Sequence, residues 1–250
     1  MASFGETLFF SAIMGFSIYI SLPLVMRKKT SAPVTKLLLA VAIGILIFLI
    51  GDVFSDVSPI LYSSDTLYGY GSVPAYDAVF TLAVVAGFVV LYVFENRSHE
   101  GLSPTKLSLL IAVGIGFQNL TEGLVFGSLG VQLGLTGVTL VVLVGFTFQN
   151  ITEGFPIASP FFGRESWRLP TMLGLFLVGG LPTIIGGGMG FFYSSTYFNL
   201  IFDGMAIGSI LYVILPMFKM LLREADYIAQ RVAYIGVFIG FILGFLVNLI

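Results

Sequence analysis

Long apolar runs alternate with short polar breaks along this chain, eight times over. The runs cover approximately 4–26, 37–62, 75–94, 107–133, 136–158, 169–193, 198–220 and 229–250. A helix needs about 20 apolar residues to cross the hydrocarbon core of a bilayer. The pattern therefore predicts an all-α, polytopic membrane protein, an eight-transmembrane-helix bundle. Residues 1–250 form one transmembrane domain in this reading.

Composition agrees. The chain is 57% hydrophobic and 10% charged, with a mean hydropathy of +1.03. A soluble domain carries about 25% charged residues. The deficit runs along the whole chain, which argues against a large soluble domain. There is no cysteine, so disulfides, thiolate metal sites and thiol catalysis are excluded. The single histidine, His99, lies in the polar linker 95–106 and reads as solvated rather than as a ligand. Neither a basic segment nor a small-residue cleavage site accompanies the first run, so a retained helix is expected rather than a signal peptide.

Charge placement tests the count of spans. All 11 basic residues fall in or at the edges of the linkers after spans one, three, five and seven. They are Arg27, Lys28, Lys29 and Lys36; Arg97 and Lys106; Arg164 and Arg168; Lys219, Arg223 and Arg231. The other side carries acids such as Glu6, Asp65 and Asp77. By the positive-inside rule the odd-numbered linkers face the cytoplasm and both termini are extracytoplasmic. Trp167, between two arginines, suits the membrane interface.

Two spans interrupt their apolar pattern with one heptapeptide that differs between copies only at its fourth residue, Leu against Ile. It reads Phe117-Gln118-Asn119-Leu120-Thr121-Glu122-Gly123 and again Phe148-Gln149-Asn150-Ile151-Thr152-Glu153-Gly154. One ionised carboxylate at mid-membrane costs roughly 2.5–3.5 kcal/mol, so two of them require compensation. The turn between spans four and five is expected near Leu135 and Thr136. About 14 helical residues, roughly 21 Å, then separate it from each copy, and both copies face each other near mid-membrane. Gln118, Asn119 and Glu122 share a helix face, as do Gln149, Asn150 and Glu153. Amide oxygens and two carboxylates converging on one point describe a divalent-cation site. The alternative is a pair of protonated acids bonded to amides, gluing the helices together. Gly123 and Gly154 would allow close approach or local unwinding, and Pro156 would weaken the helix that follows the second copy.

Asp52 and Asp56 lie four apart in the outer half of span two. Asp52 suits a gate or a first ligand on the way in; Asp56 could equally be an interfacial residue. Asp203 reads as a helix cap at the outer end of span seven. The run Gly186-Gly187-Gly188 suggests tight packing and has no phosphate-loop context.

These residues resemble the ZIP (Zrt/Irt-like) metal-ion transporters, whose fourth and fifth spans typically carry His-Asn-x-Pro-Glu-Gly. The matching positions are 118–123 and 149–154. Asp52 and Asp56 look like the counterparts of a span-two His and acid, and Ala206–Val213 is similar to the family's small-residue and Tyr-Val stretch. The resemblance implies the eight-span layout, a transport function and a metal site from Gln118, Glu122, Gln149 and Glu153, with Asn119 and Asn150 nearby. Both motif histidines are Gln here and both prolines Thr. The acid that some members place in span six aligns with Leu181.

The expected activity is therefore transport of a divalent cation of the zinc, iron or manganese class toward the cytoplasm, across the cell membrane. No enzyme activity, no cofactor beyond the transported ion and no nucleic-acid partner are expected. The partners are the ion and the lipid bilayer; the sequence admits a homodimer without requiring one. Zn²⁺ favours imidazole and thiolate, whereas amide and carboxylate oxygens suit Mn²⁺ or Mg²⁺, with Fe²⁺ also accommodated. A non-transporting sensor or scaffold of the same fold is the main alternative. A metal-dependent hydrolase ranks third for want of histidine, and a channel is not distinguished from a carrier.

Overall fold

The computed structural model describes residues 1–25, 31–63, 71–72, 74–96, 103–162, 168–222 and 227–249. Arg27, Lys28, Lys29, Asp65, Arg97, His99, Arg164, Trp167 and Arg223 lie outside these residues. Among the described residues eight helices are long and apolar enough to cross a membrane, as a multi-pass integral membrane protein requires.

The first span is α1 (Phe4–Phe16), which tightens into a 3-10 stretch (Ser17–Ser21) and ends as a single turn, α2 (Leu22–Val25). The others are α3 (Ala32–Leu61), α4 (Pro74–Asn96), α5 (Pro104–Leu133), α6 (Gly137–Ala158), α7 (Leu169–Phe192), α8 (Thr196–Leu222) and α9 (Tyr227–Asn248). A two-residue antiparallel pairing, Tyr62–Ser63 with Gly71–Ser72, follows α3.

Local chemistry sets the helix ends. Ser3 caps α1 in a reciprocal box: the Glu6 amide donates to Ser3 Oγ at 3.2 Å and the Ser3 amide to Glu6 Oε2 at 2.7 Å. Such an arrangement satisfies two otherwise orphaned donors. Ser103 accepts from the Lys106 amide at 3.2 Å, and Pro104 supplies a preset first helical residue. Gly134 ends α5 with φ +68°, a backbone conformation that glycine adopts at little steric cost. Thr136 then opens α6, its backbone carbonyl accepting from the Leu140 amide at 2.9 Å. The turn thus falls where the symmetry of the heptapeptides predicts it. The Ala2 amide donates to Gly130 O at 2.8 Å, which ties the start of α1 to this same end of the bundle. At the other end Lys106 Nζ donates to Glu95 O at 2.7 Å.

Span one departs from the expected single helix. The single Ser17 hydroxyl proton is shared between Met14 O at 2.6 Å and Thr147 O at 2.9 Å, and Ser21 Oγ donates to Ile18 O at 2.8 Å. Serine hydroxyls that bond backbone carbonyls compete with regular helix geometry. Here they also dock the tightened turn against α6, where a Cβ on Gly154 would meet Ile18 O at 2.6 Å. Gly154 therefore serves close approach, and α6 runs through it unbroken to Ala158.

Two groups of helices emerge from the packing. One comprises α1, α5, α6 and α7; the other comprises α3, α4, α8 and α9. Contacts of α8 with α5 and of α3 with α6 join them. Small residues set the closest approaches, because helices in lipid gain by packing backbone against backbone. A Cβ on Gly190 of α7 would lie 2.8 Å from Leu124 C and 2.9 Å from Leu124 Cα of α5. The Gly186-Gly187-Gly188 run shares this role, since Gly186 abuts Leu120 of α5 and Gly187 abuts Ser11 of α1. Gly190→Val is expected to cost about 1–3 kcal/mol by overpacking, read as a lower melting temperature in detergent. Gly174, with nothing within 4 Å of its Cβ position, is the control; Gly174→Ala should leave the melt unchanged.

Candidate cation-binding site

The two heptapeptides meet. Asn119 Nδ2 on α5 donates to Asn150 Oδ1 on α6 at 2.9 Å. Asn150 Nδ2 in turn donates to Glu122 Oε2 at 3.2 Å and to Phe146 O at 2.9 Å. Gln118 Nε2 reaches Glu122 Oε1 at 3.3 Å. The contact is possible because each polar triplet recurs at three- and four-residue spacing on one face of its helix, and because the Gly134 turn brings both triplets to one depth. All six residues are buried, and Asn119, Asn150 and Glu153 are fully inaccessible.

Neighbouring helices complete the arrangement. From α3, Asp52 Oδ2 accepts from Gln149 Nε2 at 3.2 Å. From α7 comes a backbone oxygen rather than an acid, as Gly179 O accepts from Asn119 Nδ2 at 3.0 Å. Leu181, the position aligned with a span-six acid, is 38% exposed on the outside of the bundle.

A cavity of about 400 Å³ runs from this depth toward the end of the bundle where α3 ends and α8 begins. Asp52, Asp56, Gln118, Glu122 and Gln149 line it. Glu153, Asn119 and Asn150 are not among the lining residues and lie behind the wall. The opposite half of the bundle is closed by apolar packing, with Ile111, Ile115, Ile157, Phe161, Phe176 and Met217 in one core.

The structure moves one residue out of its expected place. Asp203 is not a cap, because α8 begins seven residues earlier at Thr196. It is 5% exposed and lines the cavity. Its position relative to the helix start depended on where the preceding turn ended, and the apolar pattern places such ends only within a few residues. The spacing Asn199-x-x-x-Asp203 was the available signal, since it sets two polar side chains on one face. Asp56, left open between interface and gate, lines the same cavity.

Hydrogen bonding is lopsided here. Donors are used, whereas several acceptors are not. Gln118 Oε1, Asn119 Oδ1 and both carboxylate oxygens of Glu153 are buried without a hydrogen-bond partner among the described residues. Asn119 and Gln149 lie near enough to Glu153 to interact with it, but not in hydrogen-bond geometry. An unmatched buried acceptor costs about 1–3 kcal/mol, and more when charged, so four of them in one place call for protons or a cation. Among the described residues no three of His, Cys, Asp and Glu come together as a metal-holding group. A cation bound here must therefore recruit amide or backbone oxygens as well. Comparison of the chain with protein-family models and with curated proteins finds no match.

Proposed function

We propose that this protein is a carrier of divalent metal ions, built on the ZIP pattern with an all-oxygen site in place of a histidine-containing one. The observation that carries the reading is the cluster of acceptors unmatched among the described residues, Gln118 Oε1, Asn119 Oδ1 and Glu153 Oε1 and Oε2, at the contact of two near-identical intramembrane motifs. Glu122 supplies a further carboxylate beside them.

In this reading the ion enters the cavity past Asp56 and Asp52, from the extracytoplasmic side given by the charge pattern. It exchanges water for the oxygens of Gln118, Glu122 and Gln149 and leaves toward the cytoplasm. Gln118, Gln149 and Asn150 present their NH₂ edges to carboxylates. A half-turn of the terminal amide exchanges NH₂ for carbonyl oxygen. The same side chains then hydrogen-bond the acids in the empty site and ligate the ion in the loaded one. The cavity lies between α5 and α6 of one helix group and α3 and α8 of the other. Displacement of one group against the other would close this cavity and open the apolar half, the usual form of alternating access.

The purified protein in liposomes is expected to take up Mn²⁺ with saturation, and Fe²⁺ and Zn²⁺ should compete. Carboxylates must be ionised to bind a cation, so loading releases protons. Uptake should fall as the external pH is lowered, because protons then compete for Glu122 and Glu153. Strictly zinc-selective uptake, or uptake that rises on acidification, would overturn the assignment of an oxygen-ligand site. A non-transporting scaffold has one observation in its favour, the bonding of Glu122 by both Gln118 and Asn150. Saturable Mn²⁺ binding without flux would select it.

A further inference from the structure

Apolar packing closes the half of the bundle opposite the cavity, yet at that end one side chain makes a polar bridge between the two helix groups. Lys106, in the first turn of α5, donates from Nζ to Glu95 O of α4 at 2.7 Å. The same ammonium sits 5.7 Å from the centroid of the Phe94 ring, within the reach of a cation–π contact. α5 belongs to the group that carries both heptapeptides, and α4 belongs to the other.

Packing does not require this bridge. α4 lies chiefly on α8 and shares no extended face with α5. Glu95 is the last residue but one of α4, so its carbonyl is among the four that a helix C-terminus leaves without an intrahelical donor. That end of a helix also carries partial negative charge, which favours a cation. A charge-assisted hydrogen bond is roughly twice as strong as a neutral one. The lysine stem is flexible and its ammonium is well hydrated in water, so the bridge can break without unfolding either helix.

We propose that Lys106 is a strap that holds the two helix groups together at the inner end while the cavity is open at the other. It lets go each time the groups shift to open the apolar half. The inference rests on the carrier reading, but it uses no residue of the deep site or of the cavity. Loosening the strap should favour the inward-open arrangement even without an ion.

The chain has no cysteine, so a single introduced thiol reports on one place. Ser209→Cys is nearly isosteric, and Ser209 is fully buried where α8 meets α5; a Cβ on Gly114 would lie 3.2 Å from Ser209 Cβ. Gly114 is one helical turn inward of Gln118, so this seam parts when the inner half opens. The test is the rate at which a water-soluble maleimide labels Ser209→Cys in the detergent-purified, ion-free full chain. Adding Lys106→Met keeps an apolar stem beside Phe94 and removes the donor. Labelling should become about tenfold faster, equivalent to about 1.4 kcal/mol of bias between the two arrangements. Lys106→Arg keeps the charge and should label at the slow parent rate. Faster labelling at an unchanged melting temperature supports the strap. Labelling at the parent rate overturns it, and so does faster labelling that follows a lowered melt and is shared by Lys106→Arg. The converse variant joins Phe94→Cys to Lys106→Cys with a short bismaleimide, which should stop Mn²⁺ uptake into liposomes. Undiminished uptake after complete cross-linking overturns the strap and leaves the carrier reading standing. No Mn²⁺ uptake by wild type overturns the carrier reading instead, while the labelling rates, measured without metal, still decide the strap.

Discussion

Replacing both motif acids, Glu122→Gln with Glu153→Gln, is expected to abolish metal uptake while leaving a folded protein. The energetics favour that outcome over simple misfolding. Glu122 accepts from two amides, Gln118 and Asn150. A glutamine there keeps one acceptor and turns the other into a donor, which strands one partner at a cost of about 1–3 kcal/mol. An amide at mid-membrane costs less to bury than an ionised carboxylate, whose full cost is roughly 2.5–3.5 kcal/mol, so part of that loss is recovered. At Glu153 neither oxygen has a hydrogen-bond partner among the described residues, and glutamine there breaks none of the bonds seen. The cation, by contrast, loses both formal charges of the deep site. Tracer uptake into proteoliposomes, with a thermal melt alongside, checks the pair; uptake at the wild-type rate would remove these residues from the mechanism.

The second large effect concerns which ion is carried. Gln118→His with Gln149→His places an imidazole at each position where the ZIP transporters, which the motif resembles, carry one. Imidazole suits Zn²⁺, whereas carboxylate and amide oxygens suit harder ions. The Zn²⁺ to Mn²⁺ uptake ratio should rise by about tenfold or more, equivalent to about 1.4 kcal/mol of differential affinity. Gln149 donates to Asp52 Oδ2, and a histidine N–H at that position can take over the bond. Such an orienting contact between imidazole and carboxylate strengthens a metal ligand. Competition of Zn²⁺ against labelled Mn²⁺ measures the ratio. An unchanged ratio in a transporting double variant would place the ion elsewhere than between Gln118 and Gln149.

Much of the architecture was legible in one dimension. Membrane spans need length and apolarity, both local properties, and eight apolar runs became eight long helices with ends shifted by a few residues. No charge marks the turn between the heptapeptides; their symmetry placed it near Leu135 and Thr136, and α5 ends there at Gly134. Identical spacing on two antiparallel helices then required the motifs to meet, and the Asn119–Asn150 bond is that meeting.

What the chain left open were rotations about helix axes and choices of neighbour. In a soluble helix, polarity marks the outward face; in lipid it does not. Leu82 is 69% exposed and Leu46 fully buried, yet in sequence they look alike, because hydrocarbon surrounds one and protein the other. Hence only the tertiary structure decided that α5 packs on α7 and that Leu181 points away from the site. Packing likewise turned Asp203 into the cavity and seated Glu153 behind its wall. Sequence by itself determined the number of spans, their depth and the costly polar groups that had to find each other. Tertiary packing alone decided which of those groups share one cavity, because close contact between glycine-lined helices, not hydrophobicity, fixes how each helix is turned.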